Sequence, residues 1–223
     1  MSKEIILIKG LENETYTQFS ERILSFGKSL LEDTEITQVK ITFTLNPPPK
    51  LSVIPFKKAK IAAISIYSEN KESKKKLFNA LGFDGGYLVD EAIPVAYKKT
   101  WNDGTATPGV CLLTLFRKKE GIDYNTFVHR WHNGHTPLSL KIHPLWNYNR
   151  NVVLEKLTDA SYKWDGIVEE LFRSTSDLLN PIKFFGNPLI MVYNMLRVFF
   201  DTNSFLDYKT IEPYYVTEIW IKS

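Results

Sequence analysis

The sequence predicts an α+β fold of two ferredoxin-like βαββαβ repeats whose antiparallel sheets pack face to face as a pseudo-dimeric α/β barrel. Three observations lead there. Thr15-Tyr16-Thr17-Gln18-Phe19-Ser20-Glu21-Arg22 aligns over Asp123-Tyr124-Asn125-Thr126-Phe127-Val128-His129-Arg130 with Tyr, Phe and Arg coincident; at the same offset Leu30 falls on Leu138 and Ile5–Lys9 on Leu113–Arg117. The order of strands and helices repeats too, and self-similarity over a long period outranks local assignments. A Gly- and Pro-containing stretch with Gly104 and Pro108 separates the copies. The chain thus divides into a diverged scaffold repeat (1–98), a linker (99–109) and a second repeat (110–223) with the candidate pocket.

In the first copy, an apolar strand at Glu4–Lys9 leads to a helix over Tyr16–Glu32. Strands at Ile36–Leu45 and Lys60–Ser68 flank the turn-forming Asn46-Pro47-Pro48-Pro49. A helix at Lys71–Leu81 and a strand at Tyr87–Tyr97 complete the unit. In the second copy the order is strand Val110–Arg117, helix Tyr124–Asn133, strands Trp146–Leu154 and Trp164–Phe172, a helical region Ser176–Phe200 and strand Tyr215–Ile221. Each four-stranded sheet carries helices on one face, and two such sheets can cover each other's open faces.

Composition narrows the function. A net charge of +3 is too small to imply nucleic acid, and Lys71, Lys74, Lys75 and Lys76 read as a solvated helix face. One cysteine, Cys111, in an apolar strand, excludes an intrachain disulfide and a cysteine metal cluster. Five Trp, eleven Tyr and fourteen Phe suit a large core or the walls around an aromatic ligand. The apolar segment Phe184–Phe200 is interrupted by Asn187, Pro188, Asn194 and Arg197 and reads as a buried or lid helix, so stable membrane insertion is not expected. The short apolar run after Met1 is stopped by Lys9, so the expected compartment is the cytoplasm. The chain is expected as a monomer, its duplication serving as an internal dimer, or as a homodimer through its outer helices.

Residues Arg117-Lys118-Lys119, Phe127, Trp131, His135-Thr136-Pro137-Leu138, Tyr148-Asn149-Arg150-Asn151-Val152-Val153 and Trp164-Asp165-Gly166-Ile167-Val168-Glu169 resemble an EthD-type domain over about residues 110–223. That family belongs to the dimeric α/β barrel superfamily. The resemblance implies a ligand pocket between helices and sheet. It also implies a choice among cofactor-free oxygenation, dehydration, decarboxylation and ring formation on aromatic molecules, with haem-degrading enzymes as more distant relatives. Fold alone does not select among these.

On a helical projection Tyr124, Phe127, Trp131 and Leu138 share one face, His135 sits at its edge, His132 at the boundary and His129 nearly opposite. Pro137 has no amide hydrogen and disfavours helical geometry at Thr136, so the helix should bend or end near His135. His135 is therefore either a proton-transfer group or a structural histidine bonded to a carbonyl at the helix break. Period two on the strand Trp164–Phe172 puts Asp165, Ile167, Glu169 and Leu171 on one face, making Glu169 and Asp165 candidate catalytic partners of His135 or ion-paired surface groups. Trp131, Phe127, Tyr148 and His132 are the candidate substrate-binding residues. His129 with His132, and His132 with His135, have the spacing of two ligands on one helix turn; no nearby carboxylate or cysteine completes the first pair, and only Asp165 or Glu169 from a strand could join the second, so neither metal nor other cofactor is expected. The leading expectation is cofactor-free acid–base chemistry on a small apolar or aromatic substrate. A non-catalytic binding or accessory protein is the alternative, and a haem or metal binder the third.

Overall fold

Apolar segments of period two form eight antiparallel strands: β1 (Ser2–Lys9), β2 (Ile36–Phe43), β3 (Ile61–Ser68), β4 (Phe83–Val95), β5 (Val110–Phe116), β6 (Leu145–Lys156), β7 (Gly166–Phe172) and β8 (Glu212–Lys222). The structure is a computed structural model that describes residues 2–69 and 78–223. The strands close into a barrel in the order β1-β3-β2-β8-β5-β7-β6-β4. This corrects the expectation of two ferredoxin-like repeats with sheets packed face to face. Two stacked sheets would leave four edges of unpaired amides and carbonyls. Here β2 is hydrogen-bonded to β8 from Val39↔Lys222 to Phe43↔Thr217, and β4 to β6 from Tyr87↔Lys156 to Val95↔Tyr148. Full closure removes every edge.

The helix expected at Lys71–Leu81, with its lysine cluster, falls largely on residues 70–77, outside the described residues. The stretch 99–109 runs beside β8: Gly104 N donates to Trp220 O, Thr107 N to Glu218 O, and Ala106 bridges Ile219.

Helix α1 (Tyr16–Ser29) begins at Thr15, whose hydroxyl accepts from Gln18 N while the Gln18 side chain accepts from Thr15 N. This reciprocal cap satisfies two otherwise free amides. Phe19 and Ile23 then pack on Ile6, Val39, Ile41 and Ile64 of the outer barrel wall. At Gly27 the helix touches the sheet so closely that a Cβ would collide with Ile41 Cδ1.

The barrel interior has two characters. One part is apolar, with Ile5, Leu7, Ile61, Leu113, Leu115 and Ile167. The other holds a buried ionic network. Lys40 Nζ lies 2.7 Å from Glu169 Oε2 and 3.5 Å from Glu218 Oε2, and Lys3 Nζ lies 2.7 Å from Glu91 Oε1. Thr42 Oγ1 donates to Glu169, Asn149 Nδ2 and Tyr67 Oη to Glu91, and Tyr97 Oη and Thr107 Oγ1 to Glu218. Burial alone would neutralise these groups. Glu169 is held down at about 2 nonetheless, because the attraction of Lys40 and Lys3 outweighs desolvation. The same attraction raises Lys40 well above the usual lysine value against its burial.

A depressed carboxylate contributes stability above its unfolded pKa that is lost as pH falls through the folded value. Lys40→Met leaves Glu169 with only Lys3 Nζ, at 3.8 Å, as a cationic partner among the described residues and is expected to cost about 3 kcal/mol at pH 7. Urea titrations should show that deficit shrinking as the pH falls toward about 2, because the variant's less stabilised carboxylate takes up its proton at a higher pH than that of wild type.

Candidate functional site

On the outer face of β5, β6 and β7 lies a cavity of about 330 Å³, roofed by helices. The roof starts with α2 (Tyr124–His129), capped by the Asp123 carboxylate, which accepts from Thr126 N. Arg130–His135 continues it as a π turn into α3 (Thr136–Ile142). The helix therefore passes through His135 rather than ending there. In the π turn Thr136 N donates to Trp131 O, five residues back, and Thr136 Oγ1 donates to the same carbonyl at 3.0 Å. Pro137 then stands in the first turn of α3, where a missing amide hydrogen costs little. Trp131 and His135, four positions apart, share a face of this continuous helix, and both line the cavity.

The helical region expected over Ser176–Phe200 consists of three helices: α4 (Thr175–Leu179), α5 (Pro181–Phe185) and α6 (Met191–Thr202). Asn180 caps α5 ahead of Pro181, accepting from Ile182 N and Lys183 N. Gly186, at φ 101°, ends α5 in a conformation that side chains disfavour. Phe184, Val198 and Thr202 from these helices complete the cavity roof, and Val53 and Ile54 form part of its rim.

Of the candidates named from sequence, His135, Trp131 and Tyr148 line this one cavity. Trp131 Nε1 donates to Tyr148 Oη at 3.2 Å. Burial pushes the Tyr148 hydroxyl far above the usual tyrosine value, so it is a neutral donor at physiological pH. Phe127 is fully buried behind them, against Phe116, Trp131 and Phe205. His132 stands edge-on to Trp131 outside the cavity, its Nε2 buried without a partner among the described residues. Burial, aided by Arg150, lowers its pKa and keeps it neutral. Asp165 accepts from Lys118 N at 2.9 Å beside β7, and Glu169 points into the barrel toward Lys40. Neither carboxylate lines the cavity.

His135 is fixed at both nitrogens. Nδ1 lies 2.7 Å from Asp201 Oδ2 on α6, and Nε2 lies 2.9 Å from Ser139 Oγ one turn on. In outline this is an Asp–His–Ser relay. Ser139, however, is fully buried and away from the cavity lining, so its hydroxyl is no accessible nucleophile.

Three titratable groups of the cavity, Glu170, His143 and Tyr208, escaped the sequence reasoning. Glu170, next to Glu169 but of opposite phase on β7, opens onto the cavity between Val168 and Phe172. Its carboxylate has no hydrogen bond or ion pair among the described residues, and burial in this apolar wall pushes its pKa up to about 7. His143, at the end of α3, donates from Nδ1 to Phe184 O at 2.8 Å, since a carbonyl can only accept. Burial lowers it to about 4, leaving neutral imidazole with Nε2 as a free acceptor. The signal for Glu170 was present as a second acidic residue in an apolar strand. Among the described residues no three His, Cys, Asp or Glu side chains converge as a metal set, and no helix is long and apolar enough to cross a membrane.

A raised carboxyl pKa means that the folded state binds the proton more tightly, so stability from this group is fullest below the unfolded value near 4.5 and falls as pH rises through about 7. Glu170→Gln never ionises. It should gain at most about 3 kcal/mol on wild type between pH 4.5 and 8, read as a growing difference in Tm.

No protein-family model matches the chain, and no curated protein matches it. A crystal structure described as that of an anthrone oxidase-like protein shares the fold, with a TM-score of 0.61 and 10% identity over 98% of this chain and 91% of that one. At that identity the likeness shows the fold alone, here a closed eight-stranded antiparallel barrel.

Proposed function

We propose that this protein is an enzyme that moves a proton on a small apolar or aromatic molecule in the cavity, with Glu170 as the acid–base group and no bound cofactor. The observation carrying this reading is an unpaired carboxylate in an apolar wall, titrating near neutrality. Such a group is present in both protonation states at physiological pH, which general acid–base catalysis requires. Ionised Glu170 takes a proton from a carbon beside a ligand carbonyl, and the electron pair remains as an enolate. The Tyr148 hydroxyl can donate to the enolate oxygen, and His143 Nε2 can accept from a ligand hydroxyl. The enolate carbon then attacks a second carbonyl in cyclisation, expels a β-hydroxyl that leaves as water in dehydration, or reacts with dioxygen as the oxidant in oxygenation; in decarboxylation loss of CO2 forms the same enolate, and protonated Glu170 returns a proton to its carbon. The neighbour's description as anthrone oxidase-like supports an aromatic ketone as substrate class and an oxidative outcome. The EthD-type resemblance of residues 110–223 belongs to the same reading.

His135 takes a positioning role here, tying the π turn to α6 through Asp201. A second reading is a binding protein that holds its ligand unconverted. What favours it is the engagement of both His135 nitrogens.

Anthrone and a panel of phenolic ketones serve as probes, with binding followed by fluorescence and conversion by chromatography. Wild type should bind and convert a probe at a rate rising with pH through about 7. Glu170→Gln should keep its affinity within a few-fold and lose roughly 10²–10⁴ in rate. Equal conversion by the variant would remove Glu170 from the chemistry, and binding without conversion by wild type would leave the second reading. His135→Ala should lower the Tm and weaken binding without moving the pH midpoint of turnover.

A further inference from the structure

Helix α6 is amphipathic in the inverse sense. Its polar side faces inward: Asn194 Nδ2 donates to Phe185 O at 2.7 Å, Thr202 is buried, and Asp201 holds His135. Its large apolar side chains face out. Val192, Tyr193, Leu196, Phe199 and Phe200 are exposed, and Leu189 just before the helix is 94% exposed. Their spacing places them on one continuous stripe. Singly exposed apolar residues are ordinary, but a contiguous stripe of six marks an interaction surface.

The charges on this stretch have one sign. Between Asp177 and Asp201 the charged residues are Lys183 and Arg197, with no Asp or Glu. Arg197 is exposed and has no ion pair or hydrogen-bonding side-chain partner among the described residues, while Lys183 reaches Asp177 only at 3.9 Å. Across the cavity rim from α6, Val53 is exposed and Leu51 beside it is 90% exposed.

We propose that α6 and the Leu189 tip dock this protein on an anionic lipid surface, the apolar stripe entering the acyl boundary and Arg197 and Lys183 meeting headgroup phosphates. Tyr193 suits the interface, with an apolar body and a polar tip. A second copy of the chain fits this face less well. A two-fold contact across α6 would bring like-charged Arg197 residues together with no carboxylate on the stripe to pair them. The opposite side of the same helix supplies Val198 and Thr202 to the cavity, so the docked face and the ligand site are two sides of one wall. This surface stands independently of what the cavity catalyses.

The test is co-sedimentation of the full chain with phosphatidylcholine vesicles, with and without phosphatidylglycerol. Wild type should sediment with the anionic vesicles, more weakly with neutral ones, and less as salt rises. Leu196→Glu combined with Phe200→Glu should reduce partitioning by about tenfold or more. Leu189→Glu lies outside the helix, disturbs the fold least and should weaken binding in the same direction. Arg197→Glu should remove the preference for anionic vesicles. The proposal is overturned if wild type binds neither vesicle, or if the folded Leu189→Glu and Arg197→Glu variants bind as wild type does. It is equally overturned if wild type is a dimer that Leu196→Glu splits and that ignores vesicles.

Discussion

Closure of the barrel is the constraint on which the rest of this structure depends. The β2–β8 and β4–β6 ladders turn eight strands into a continuous wall, so every strand has an inside and an outside, and both need cover. An eight-stranded barrel is just wide enough for side chains to fill its interior. On β7 this gives adjacent carboxylates opposite environments. Glu169 turns inward to two lysines and is driven to about 2, whereas Glu170 turns outward into an apolar cavity and rises to about 7. One is a structural anion and the other a group able to exchange protons at physiological pH. Separation of two neighbouring carboxyl pKa values by environment is how a single scaffold divides structural from chemical work.

The helical layer explains why a cavity forms on one side of the barrel. Over β1–β3 and β2, α1 lies directly on the wall because Gly27 permits the closest approach to Ile41. Over β5–β7 the corresponding layer stands off. Trp131 leans on Phe116 at 5.0 Å between ring centres, and His135 is held outward by Asp201. The π turn carries the helix on past His135 and leaves Pro137 in the first turn of α3, where its missing amide hydrogen breaks no helical bond.

Much of the element order was legible in the sequence because apolar alternation and turn residues act locally. The strands at Ile36–Leu45 and Trp164–Phe172 overlap β2 and β7 closely, and the phase that groups Ile167, Glu169 and Leu171 on one face is the phase of the structure. Alternation could not say which face mattered. Both faces of β7 are buried, so the apolar signal is the same on each, and the cavity carboxylate was one residue from the one the pattern selected. Barrel closure was equally illegible, since it depends on pairings between distant strands such as Val39 with Lys222. The interruption at Asn187-Pro188 was legible in the sequence, but the separate helix starting at Asn180-Pro181 shows only once the Asn180 side chain is seen accepting from Ile182 N and Lys183 N.

His135 illustrates the limit of reading chemistry from residue type. A histidine among aromatics at a bent helix invites a proton-transfer role, but the role depends on what its two nitrogens meet. Here one meets Asp201 and the other Ser139. Both partners are supplied by elements whose approach the sequence does not announce: α6 arrives only after two helix breaks, and Ser139 lies one turn beyond a proline. The imidazole is thereby a strut between the π turn and α6. Since α6 carries the cavity wall on one side and the apolar stripe on the other, this strut couples the position of Trp131 to the surface that faces outward. The strut does not act alone: Asn194 Nδ2 donates to Phe185 O and Lys119 Nζ to Asn203 O, so α6 is held along its length and the cavity wall and the outward stripe are parts of one fixed element.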